Sequence, residues 1–248
     1  MHPDPEYIDG VIERRIHDMK ILITGASRGL GAQLTRLLPR LGDELFLVSR
    51  TEPVFYDDKG VVSHWIPADL SKQDAPETIA SMIPDSLDVL IHNAGIWEKT
   101  AFTSDYDFTT ITPEETQRIV DVNLVAPMLI TRSLLPRLRL SENPKIIFIG
   151  SANGIENSGF PETAYGASKW GLRGVAYSLR EFLRSERIGV TVINLGTIGD
   201  QIHNREGEVA AEGMPYSDVA NILRCVIETS RKTNIKEISV PAMMDESV

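Results

Sequence analysis

The sequence is poor in cysteine and in basic charge. Its 248 residues contain a single cysteine, Cys225, which excludes an internal disulfide and a metal cluster built on cysteines. The formal net charge is −10. This charge argues against nucleic acid and against an anionic membrane as partners, since both need a basic face. An anionic ligand would therefore need a locally basic site.

Long apolar runs and linkers are also missing. No stretch reaches the roughly 18 consecutive apolar residues that a bilayer span needs, so no membrane segment is expected. The first 19 residues contain no continuous apolar core and do not read as a secretory signal, which makes the cytoplasm the expected compartment. The chain has no repeats, low-complexity tracts or Pro/Gly/Ser-rich linkers, so one domain is favoured over two.

What the chain does contain is a regular alternation of strand-like and helix-like segments. Short apolar runs with β-branched residues predict strands at 20–24, 44–49, 61–66, 88–92, 145–149, 190–194 and 237–240. Thr112, Pro113 and Glu115 predict a helix start with an N-cap, a first-turn proline and a capping box. Strands that are apolar on both faces imply a parallel sheet covered by helices on both sides. The predicted fold is α/β: a single doubly wound, Rossmann-type domain at 19–248 with about seven parallel strands.

The first predicted strand leads into "TGASRGLG", in which Gly25, Gly29 and Gly31 precede or open a leucine-striped helix. Glycines let a backbone turn sharply and approach a pyrophosphate, while a helix N-terminus supplies free N–H groups. Three glycines alone indicate only a tight turn. After the first strand of an alternating β/α chain, however, they predict nucleotide binding.

A second pattern is the pair Tyr165 and Lys169 in "ETAYGASKWG". A spacing of four places both side chains on one face of a helix. Taken alone, the pair is either a chance surface pair or a proton donor whose pKa is tuned by the neighbouring ammonium.

Five motifs in order decide between these readings. The spacing T-G-x-x-x-G-x-G is followed by "HNAG" (92–95), "DVNL" (121–124), "IGSANG" (149–154) and Tyr165-x-x-x-Lys169. Together they resemble the short-chain dehydrogenase/reductase family, over roughly residues 20–241. The resemblance implies hydride transfer between a nicotinamide cofactor and a carbonyl or alcohol substrate, without a metal.

The resemblance also gives each catalytic candidate a role. Tyr165 is expected to act as the general acid, and Ser151 to reach the same carbonyl oxygen. Lys169, with the positive charge of an oxidised nicotinamide, is expected to lower the pKa of the phenol. Asn123 is expected to serve a proton relay through its main-chain carbonyl, because Pro127 has no N–H to give it and should kink the helix.

Cofactor contacts are expected from the ends of the predicted strands. The implied positions are Gly25, Ser27, Arg28, Gly29, Leu30, Gly31, Ser49, Arg50, Asp69, Leu70, Asn93, Ala94, Gly95, Tyr165, Lys169 and Ile198. The second strand ends in Ser49 and Arg50 and lacks the acidic residue that enzymes selecting NAD use on the ribose 2′-hydroxyl. Arg28 should converge on the same spot, so NADP(H) is expected to be preferred over NAD(H). Asp69 is either an adenine ligand or a helix N-cap.

Several segments depart from the family pattern. Residues 1–18 match none of it and are predicted to be an N-terminal extension. Tyr165 follows Ser151 by 14 positions, one more than expected, which affects the loop 155–160. Leu195 stands where proline is usual, and Asp200 stands near the usual threonine. Residues 199–216 are predicted to form a lid over the substrate.

The substrate and the assembly are left open by the sequence. Both polar and aromatic carbonyl compounds fit, and Trp97 and Phe160 are either pocket residues or ordinary packing aromatics. A homodimer or homotetramer is expected. Two alternatives remain beside a reductase. An epimerase or lyase on a related fold would need a longer substrate domain, and a non-enzymatic nucleotide sensor would not need Ser151, Tyr165 and Lys169.

Overall fold

The computed structural model of the chain describes residues 18–56, 60–155, 161–199 and 213–245, and the backbone of two short strands within 200–212. Residues 1–17 of the predicted extension and residues 200, 201, 204–208 and 212 of the predicted lid therefore lie outside the described residues, as does Phe160. Asp18, the last residue of the extension, packs beside Gly42.

Seven parallel strands form one sheet. Its members are β1 (Lys20–Thr24), β2 (Glu44–Ser49), β3 (Val62–Pro67), β4 (Val89–His92), β5 (Lys145–Ile149), β6 (Gly189–Leu195) and β9 (Glu237–Val240), in the spatial order β3-β2-β1-β4-β5-β6-β9. The predicted sheet is confirmed, with strand ends within one residue of those expected. Two further strands, β7 (Ile202–His203) and β8 (Val209–Ala211), pair antiparallel inside the predicted lid and were not predicted, because their surroundings in sequence are polar.

Helices cover both faces of this sheet. They are α1 (Gly29–Leu37), α2 (Ala75–Met82), α3 (Pro113–Val120), α4 (Ala126–Leu138), α5 (Thr163–Leu183) and α6 (Tyr216–Glu228). Alternate strand residues point to opposite faces, so Ile21 and Ile23 belong to one apolar cluster with α1 and α6, while Leu22 belongs to another with α2, α4 and α5. The doubly wound, Rossmann-type class is thereby confirmed.

The helix predicted to begin at Thr112 does so, but its capping differs in one bond. Thr112 Oγ1 accepts a hydrogen bond from Glu115 N at 3.1 Å, as an N-cap should. Glu115 does not close the capping box, since its carboxylate accepts instead from Lys99 N at 2.8 Å. This bond ties the helix to the loop that follows β4.

Between α3 and α4 the backbone forms a π-helical turn, Asp121–Val125, just before Pro127, where the sequence predicts a kink. Ala126 N donates to the carbonyl of Asp121, five residues earlier. The wider turn lets the helix continue past a residue without an N–H, and single π turns of this kind are frequent at functional sites.

The continuous helical run Pro113–Leu138 has the length and hydropathy of a membrane span, although the sequence was expected to contain none. Of its most apolar window, 44% is buried inside the protein. Ile130, Leu134 and Leu138 are fully enclosed in the core under the sheet. The run is accordingly apolar because it is a core helix.

The topology leaves a crevice at the carboxyl ends of the strands. β1 pairs with β2 on one side and with β4 on the other, so the connections from these strands leave in opposite directions. In open α/β sheets, ligands bind at such a switch point. The loops after β1, β2, β3, β4, β5 and β6 all open into this crevice.

Candidate active site

The crevice is a cleft of about 590 Å³. Every cofactor position implied by the sequence lies on its wall: Gly25, Ser27, Arg28, Gly29, Leu30, Gly31, Ser49, Arg50, Asp69, Leu70, Asn93, Ala94, Gly95, Tyr165, Lys169 and Ile198. Ser151 lies on the wall too, whereas Asn123 does not. The topology thus brings together residues that are separated by up to about 170 positions in the chain.

The glycine loop after β1 has room only for backbone. Gly25 has φ +73°, and a Cβ there would lie 2.8 Å from Ala94 Cα. A Cβ on Gly31 would lie 2.0 Å from the Gly25 carbonyl oxygen. Residues 29–32, the first turn of α1, include no acidic side chain that could accept hydrogen bonds from the free N–H groups of this turn. These N–H groups are therefore available to a ligand in the cleft. This geometry fits the pyrophosphate of a dinucleotide.

Asn93 supports this loop from β4. Its Nδ2 donates to the carbonyls of Thr24 at 3.0 Å and Gly25 at 3.3 Å. The Thr24 hydroxyl accepts in turn from Asn93 N and Ala94 N, both at 3.1 Å. The side chain of Asn93 is therefore engaged in holding two loops together at the switch point.

The end of the cleft at the loops after β2 and β3, where the adenosine of the expected cofactor would lie, is basic. Arg28 and Arg50 are both on its wall, as expected, and Arg118 of α3 joins them there. The sequence reasoning missed Arg118, because nothing in its local pattern distinguishes it from a solvated helix arginine. Ser49 Oγ is already used, since it donates to the carbonyl of Thr51 at 2.6 Å.

Asp69 does not cap a helix, because α2 begins only at Ala75. Its Oδ1 accepts from Ser71 N at 3.1 Å and from Ser71 Oγ at 2.9 Å. Burial would raise the pKa of Asp69, but these two hydrogen bonds and the charges of Arg50 and Arg118 bring it below its ordinary value. The carboxylate is therefore ionised and available to accept a hydrogen bond from an amino group.

The catalytic candidates meet at the other end of the cleft. Tyr165 is 9% exposed and Lys169 4%, so the pair is not a surface pair on α5. Lys169 Nζ lies 5.6 Å from the centre of the Tyr165 ring and donates to the carbonyl of Ile149, the last residue of β5, at 2.8 Å. Ser151 follows that strand, and its hydroxyl donates to Asn153 Oδ1 at 3.3 Å and is near enough to the Tyr165 phenol to lower the pKa of the phenol.

The pKa of Tyr165 is raised, where the sequence reasoning expected it to be lowered. Burial is the main cause, and the charges of Glu162 and Glu98 add to it, while the Ser151 hydroxyl opposes it. Burial also lowers the pKa of Lys169 to about 8. Sequence spacing places the ammonium one turn from the phenol but contains no information on how deeply the two are buried.

Asn123 lies behind the cleft, within the π turn. Its Oδ1 accepts from Ile96 N at 2.9 Å, and its Nδ2 donates to the carbonyl of Ile96 at 2.7 Å and to Ser168 Oγ at 3.0 Å. The side chain therefore joins the loop after β4 to α5. A Cβ on Gly95 would lie 3.6 Å from Lys169 Nζ and 3.9 Å from Asn123 Oδ1, so this position lies directly beside both side chains.

Two buried acids next to Tyr165 were not predicted. Glu98 is 0% exposed, and its Oε1 accepts from Ala164 N at 2.8 Å and Tyr165 N at 3.2 Å, at the N-terminus of α5. Glu162 is 4% exposed, and it accepts from Phe102 N at 2.8 Å and from Asn153 Nδ2 at 3.2 Å. The only sequence signal for these two acids is that each is a charged residue at or just before the start of a buried segment.

The end of β6 closes the cleft. Leu195, in the position where the resemblance implied proline, is its last residue, is 5% exposed and lies on the cleft wall. Ile198 also lies on the wall and pairs with Met214 through an isolated parallel bridge. Between them, Thr197 N donates to Asp245 Oδ2 at 3.1 Å, so the C-terminal segment fixes this loop.

Comparison with known proteins places these motifs in a family. The family model described as "short chain dehydrogenase" matches residues 19–209. This chain is a short-chain dehydrogenase. The resemblance inferred from the five motifs is thereby confirmed, and with it an oxidoreductase class that uses a nicotinamide cofactor and a small-molecule substrate.

Relatives of this short-chain dehydrogenase include a 3-oxoacyl-[acyl-carrier-protein] reductase of Rickettsia felis, 30% identical over 81% of this chain and 85% of its own. A rhamnolipids biosynthesis 3-oxoacyl-[acyl-carrier-protein] reductase of Pseudomonas aeruginosa is 32% identical over 71% of each. Among solved structures, a metagenomic short-chain oxidoreductase in complex with NADP superposes with a TM-score of 0.71. It is 29% identical, and the match covers 91% of this chain and 97% of that one.

Proposed function

We propose that this short-chain dehydrogenase is an NADP(H)-dependent carbonyl reductase that interconverts a ketone or aldehyde and its alcohol. The observation that carries the proposal is the convergence of Ser151, Tyr165 and Lys169 at one end of the cleft, where the buried ammonium of Lys169 lies 5.6 Å from the ring centre of the buried Tyr165. A non-enzymatic sensor would not need this arrangement.

In the reductive direction, Tyr165 donates its phenolic proton to the carbonyl oxygen of the substrate, and Ser151 donates a second hydrogen bond to the same oxygen. A nicotinamide cofactor, when bound, supplies the hydride. The raised pKa of Tyr165 keeps the phenol protonated at neutral pH, and the positive charges of Lys169 and of an oxidised nicotinamide, when bound, would lower this pKa towards the operating pH, where proton transfer is most effective. The pKa of Lys169, about 8, lets this side chain return a proton to the tyrosine near neutral pH.

We assign two supporting roles. Asn123 holds the loop after β4 against α5, and the π turn that contains it is the site of the proposed proton relay. Gly25, Gly29 and Gly31 hold the pyrophosphate. The remaining wall residues that hold the cofactor are Ser27, Arg28, Leu30, Ser49, Arg50, Asp69, Leu70, Asn93, Ala94, Gly95 and Ile198.

The preference for NADP(H) rests on charge. Arg28, Arg50 and Arg118 face the adenosine end of the cleft, and Ser49 stands where an acid would repel a 2′-phosphate. The structural neighbour in complex with NADP is in keeping with this choice.

Assembly, location and chain boundaries complete the proposal. We propose a cytoplasmic homodimer or homotetramer, supported by exposed apolar side chains on α4 and α5: Met128, Trp170 and Phe182. Residues 19–248 would form the catalytic domain, with 1–18 a dispensable extension and 199–216 a substrate lid.

The test is a panel of aldehydes, ketones, diketones and a 3-oxoacyl thioester, followed through NADPH oxidation. The 3-oxoacyl thioester is included because the relatives carry that substrate in their names. Tyr165→Phe should lower the turnover of the best substrate by about 10²–10⁴-fold and leave NADPH affinity unchanged, since only the proton donor is removed. Tyr177→Phe, which changes a 65% exposed tyrosine of the same helix, is the matched control. Retention of a tenth of the rate by Tyr165→Phe would remove it from the mechanism.

A further inference from the structure

Three aromatic rings meet beside the catalytic candidates. The centres of Phe102 and Tyr165 lie 5.6 Å apart at an interplanar angle of 84°, and those of Trp97 and Tyr165 lie 6.2 Å apart at 84°. Trp97 and Phe102 contact each other at 5.8 Å and 72°. All three contacts are edge-to-face, the arrangement that aromatic pairs prefer. These rings are called the aromatic wall below.

Two rings of the aromatic wall are exposed. Tyr165 is 9% exposed, but Trp97 is 53% and Phe102 50% exposed. Trp97 also lies on the wall of the cofactor cleft, next to the catalytic end. Contiguous exposed aromatic surface that borders a cleft marks a binding surface.

Phe102 is held in this place against backbone strain. Its φ is +61°, in the left-handed region that residues with a Cβ rarely adopt. The buried carboxylate of Glu162 accepts from Phe102 N at 2.8 Å, and the same carboxylate is anchored to Asn153. Phe102 is thus strained, fixed by a buried charge, and places a half-exposed ring beside Tyr165. This combination indicates a functional position.

Trp97 is fixed relative to Tyr165 by its neighbour in sequence. Glu98 binds two backbone N–H groups at the start of α5, one of them that of Tyr165. The two acids therefore tie the loop that carries Trp97 and Phe102 to the helix that carries the proton donor. The aromatic wall is formed before a ligand arrives, which reduces the entropy cost of binding a rigid ring.

From this geometry we propose that the aromatic wall binds the ring of an aryl ketone, so that the substrate class is aryl-substituted carbonyl compounds and their alcohols. The inference rests on the proposed function. An aryl ring bonded to the carbonyl carbon would contact the exposed rings of Trp97 and Phe102 while the carbonyl oxygen faces the phenol of Tyr165. A saturated ring of the same size has no π-system to complement the wall.

The experiment compares acetophenone with cyclohexyl methyl ketone, two ketones that differ only in whether the ring is aromatic. Their affinities for the enzyme saturated with NADP⁺ are measured by calorimetry, and their turnover by NADPH oxidation. We expect acetophenone to bind at least about fivefold more tightly to the wild type. Trp97→Ala should reduce this preference to less than about twofold, and Trp97→Phe should retain most of it. Phe108→Ala removes a ring that is 62% exposed outside the cleft, and it should change nothing.

The outcomes separate the two proposals. Equal affinity for both ketones, or an equal loss for both in Trp97→Ala, overturns the aryl assignment and leaves the reductase standing if turnover is seen. Aryl preference in binding that depends on Trp97, without turnover of any carbonyl compound, supports the aryl site and overturns the reductase. A change of oligomeric mass in Trp97→Ala without a change in preference would show that a second copy covers the wall, which also overturns the inference.

Discussion

Glu98 accepts a hydrogen bond from the backbone N–H of Tyr165 at 3.2 Å, so a buried carboxylate lies at the first turn of α5, the helix that carries the proposed proton donor. The same oxygen accepts from Ala164 N, and in the part of the chain that the structure describes the other carboxylate oxygen has no partner. The negative charge of Glu98 is stabilised by the helix dipole, which is positive at the N-terminal end. It also raises the pKa of the tyrosine that it positions.

Glu98→Gln tests this coupling. The amide oxygen can still accept from both N–H groups, so the Tm should change little, but the negative charge is lost. Because that charge raises the pKa of Tyr165, its removal should lower this pKa. The basic limb of the kcat/KM profile for reduction, where the phenol loses its proton, should then move to lower pH.

Two variants serve as references for that profile. Glu181→Gln removes a charge from the exposed surface of the same helix and should leave the limb in place. Glu98→Ala leaves two buried N–H groups unpaired and should cost about 1–3 kcal/mol of unfolding free energy. A limb that stays fixed or moves to higher pH in Glu98→Gln would contradict the electrostatic role.

Arg50→Ala should weaken the preference for NADPH. A charge-assisted hydrogen bond to phosphate contributes about 1.5–3 kcal/mol, or roughly 10- to 150-fold in binding. We expect kcat/KM with NADPH to fall within that range, mainly through KM, while kcat/KM with NADH stays nearly constant. Arg40→Ala removes an equal charge outside the cleft, where it pairs with Glu228, and is the control. A wild-type enzyme that uses both cofactors equally at low ionic strength would refute the assignment.

Lys169→Met should change the pH dependence of stability. The folded pKa is about 8 and the unfolded value 10.5, so below pH 8 the buried ammonium costs stability in full, and the cost disappears as the pH rises from 8 towards 10.5. Lys169→Met lacks this pH-dependent cost of a buried ammonium. Its unfolding free energy relative to the wild type should therefore decrease by about 2 kcal/mol between pH 7 and pH 9.5. Urea unfolding at both pH values measures it.

The comparison in Lys169→Met isolates one lysine. Lys145, whose pKa burial also lowers to about 8, is present in both proteins, so its contribution cancels. A relative stability that does not vary with pH would mean that Lys169 is not desolvated in the folded protein.

Phe102→Gly and Phe102→Ala separate the strain at this residue from its ring. Both remove the ring, but only glycine adopts φ +61° without strain. Phe102→Gly should therefore be more stable than Phe102→Ala, by about 1 kcal/mol in chemical denaturation. Both variants should lose the preference for aryl ketones to the same degree. A stability order in the opposite direction would show that the left-handed conformation is not retained in the variants.

Much of the fold was accessible from sequence because a parallel sheet buried on both faces produces short apolar runs such as those of β1 and β5. The positions of Gly25, Ser151 and Asp69 followed as well, since strand ends gather at one edge of the sheet. The two acids could not be found in this way. Glu98 is buried because its partners at Ala164 and Tyr165 lie more than 60 positions away, and no local pattern encodes such a contact.

For a related reason, the burial and the two acids that raise the pKa of Tyr165 were not predicted, since the expected decrease counted only Lys169 and an oxidised nicotinamide. Spacing fixes which residues share a helix face, but depth of burial depends on what other segments place over that face. Glu162 and Glu98 come from outside the Tyr165–Lys169 pair, and both act on the phenol. The electrostatic environment of a site is thus harder to predict from sequence than the positions of its residues.

The basic end of the cleft has a consequence for how the cofactor is captured. The protein as a whole carries a charge of −10, and a dinucleotide phosphate is an anion, so the two repel each other at long range. Attraction to Arg28, Arg50 and Arg118 is felt only within about 8 Å at physiological ionic strength. If the cofactor binds as proposed, encounters that begin at these arginines are the productive ones. We therefore expect the adenosine phosphate to bind first and the nicotinamide to enter the cleft afterwards. Added salt should then change the association rate constant of the cofactor more than its dissociation rate constant.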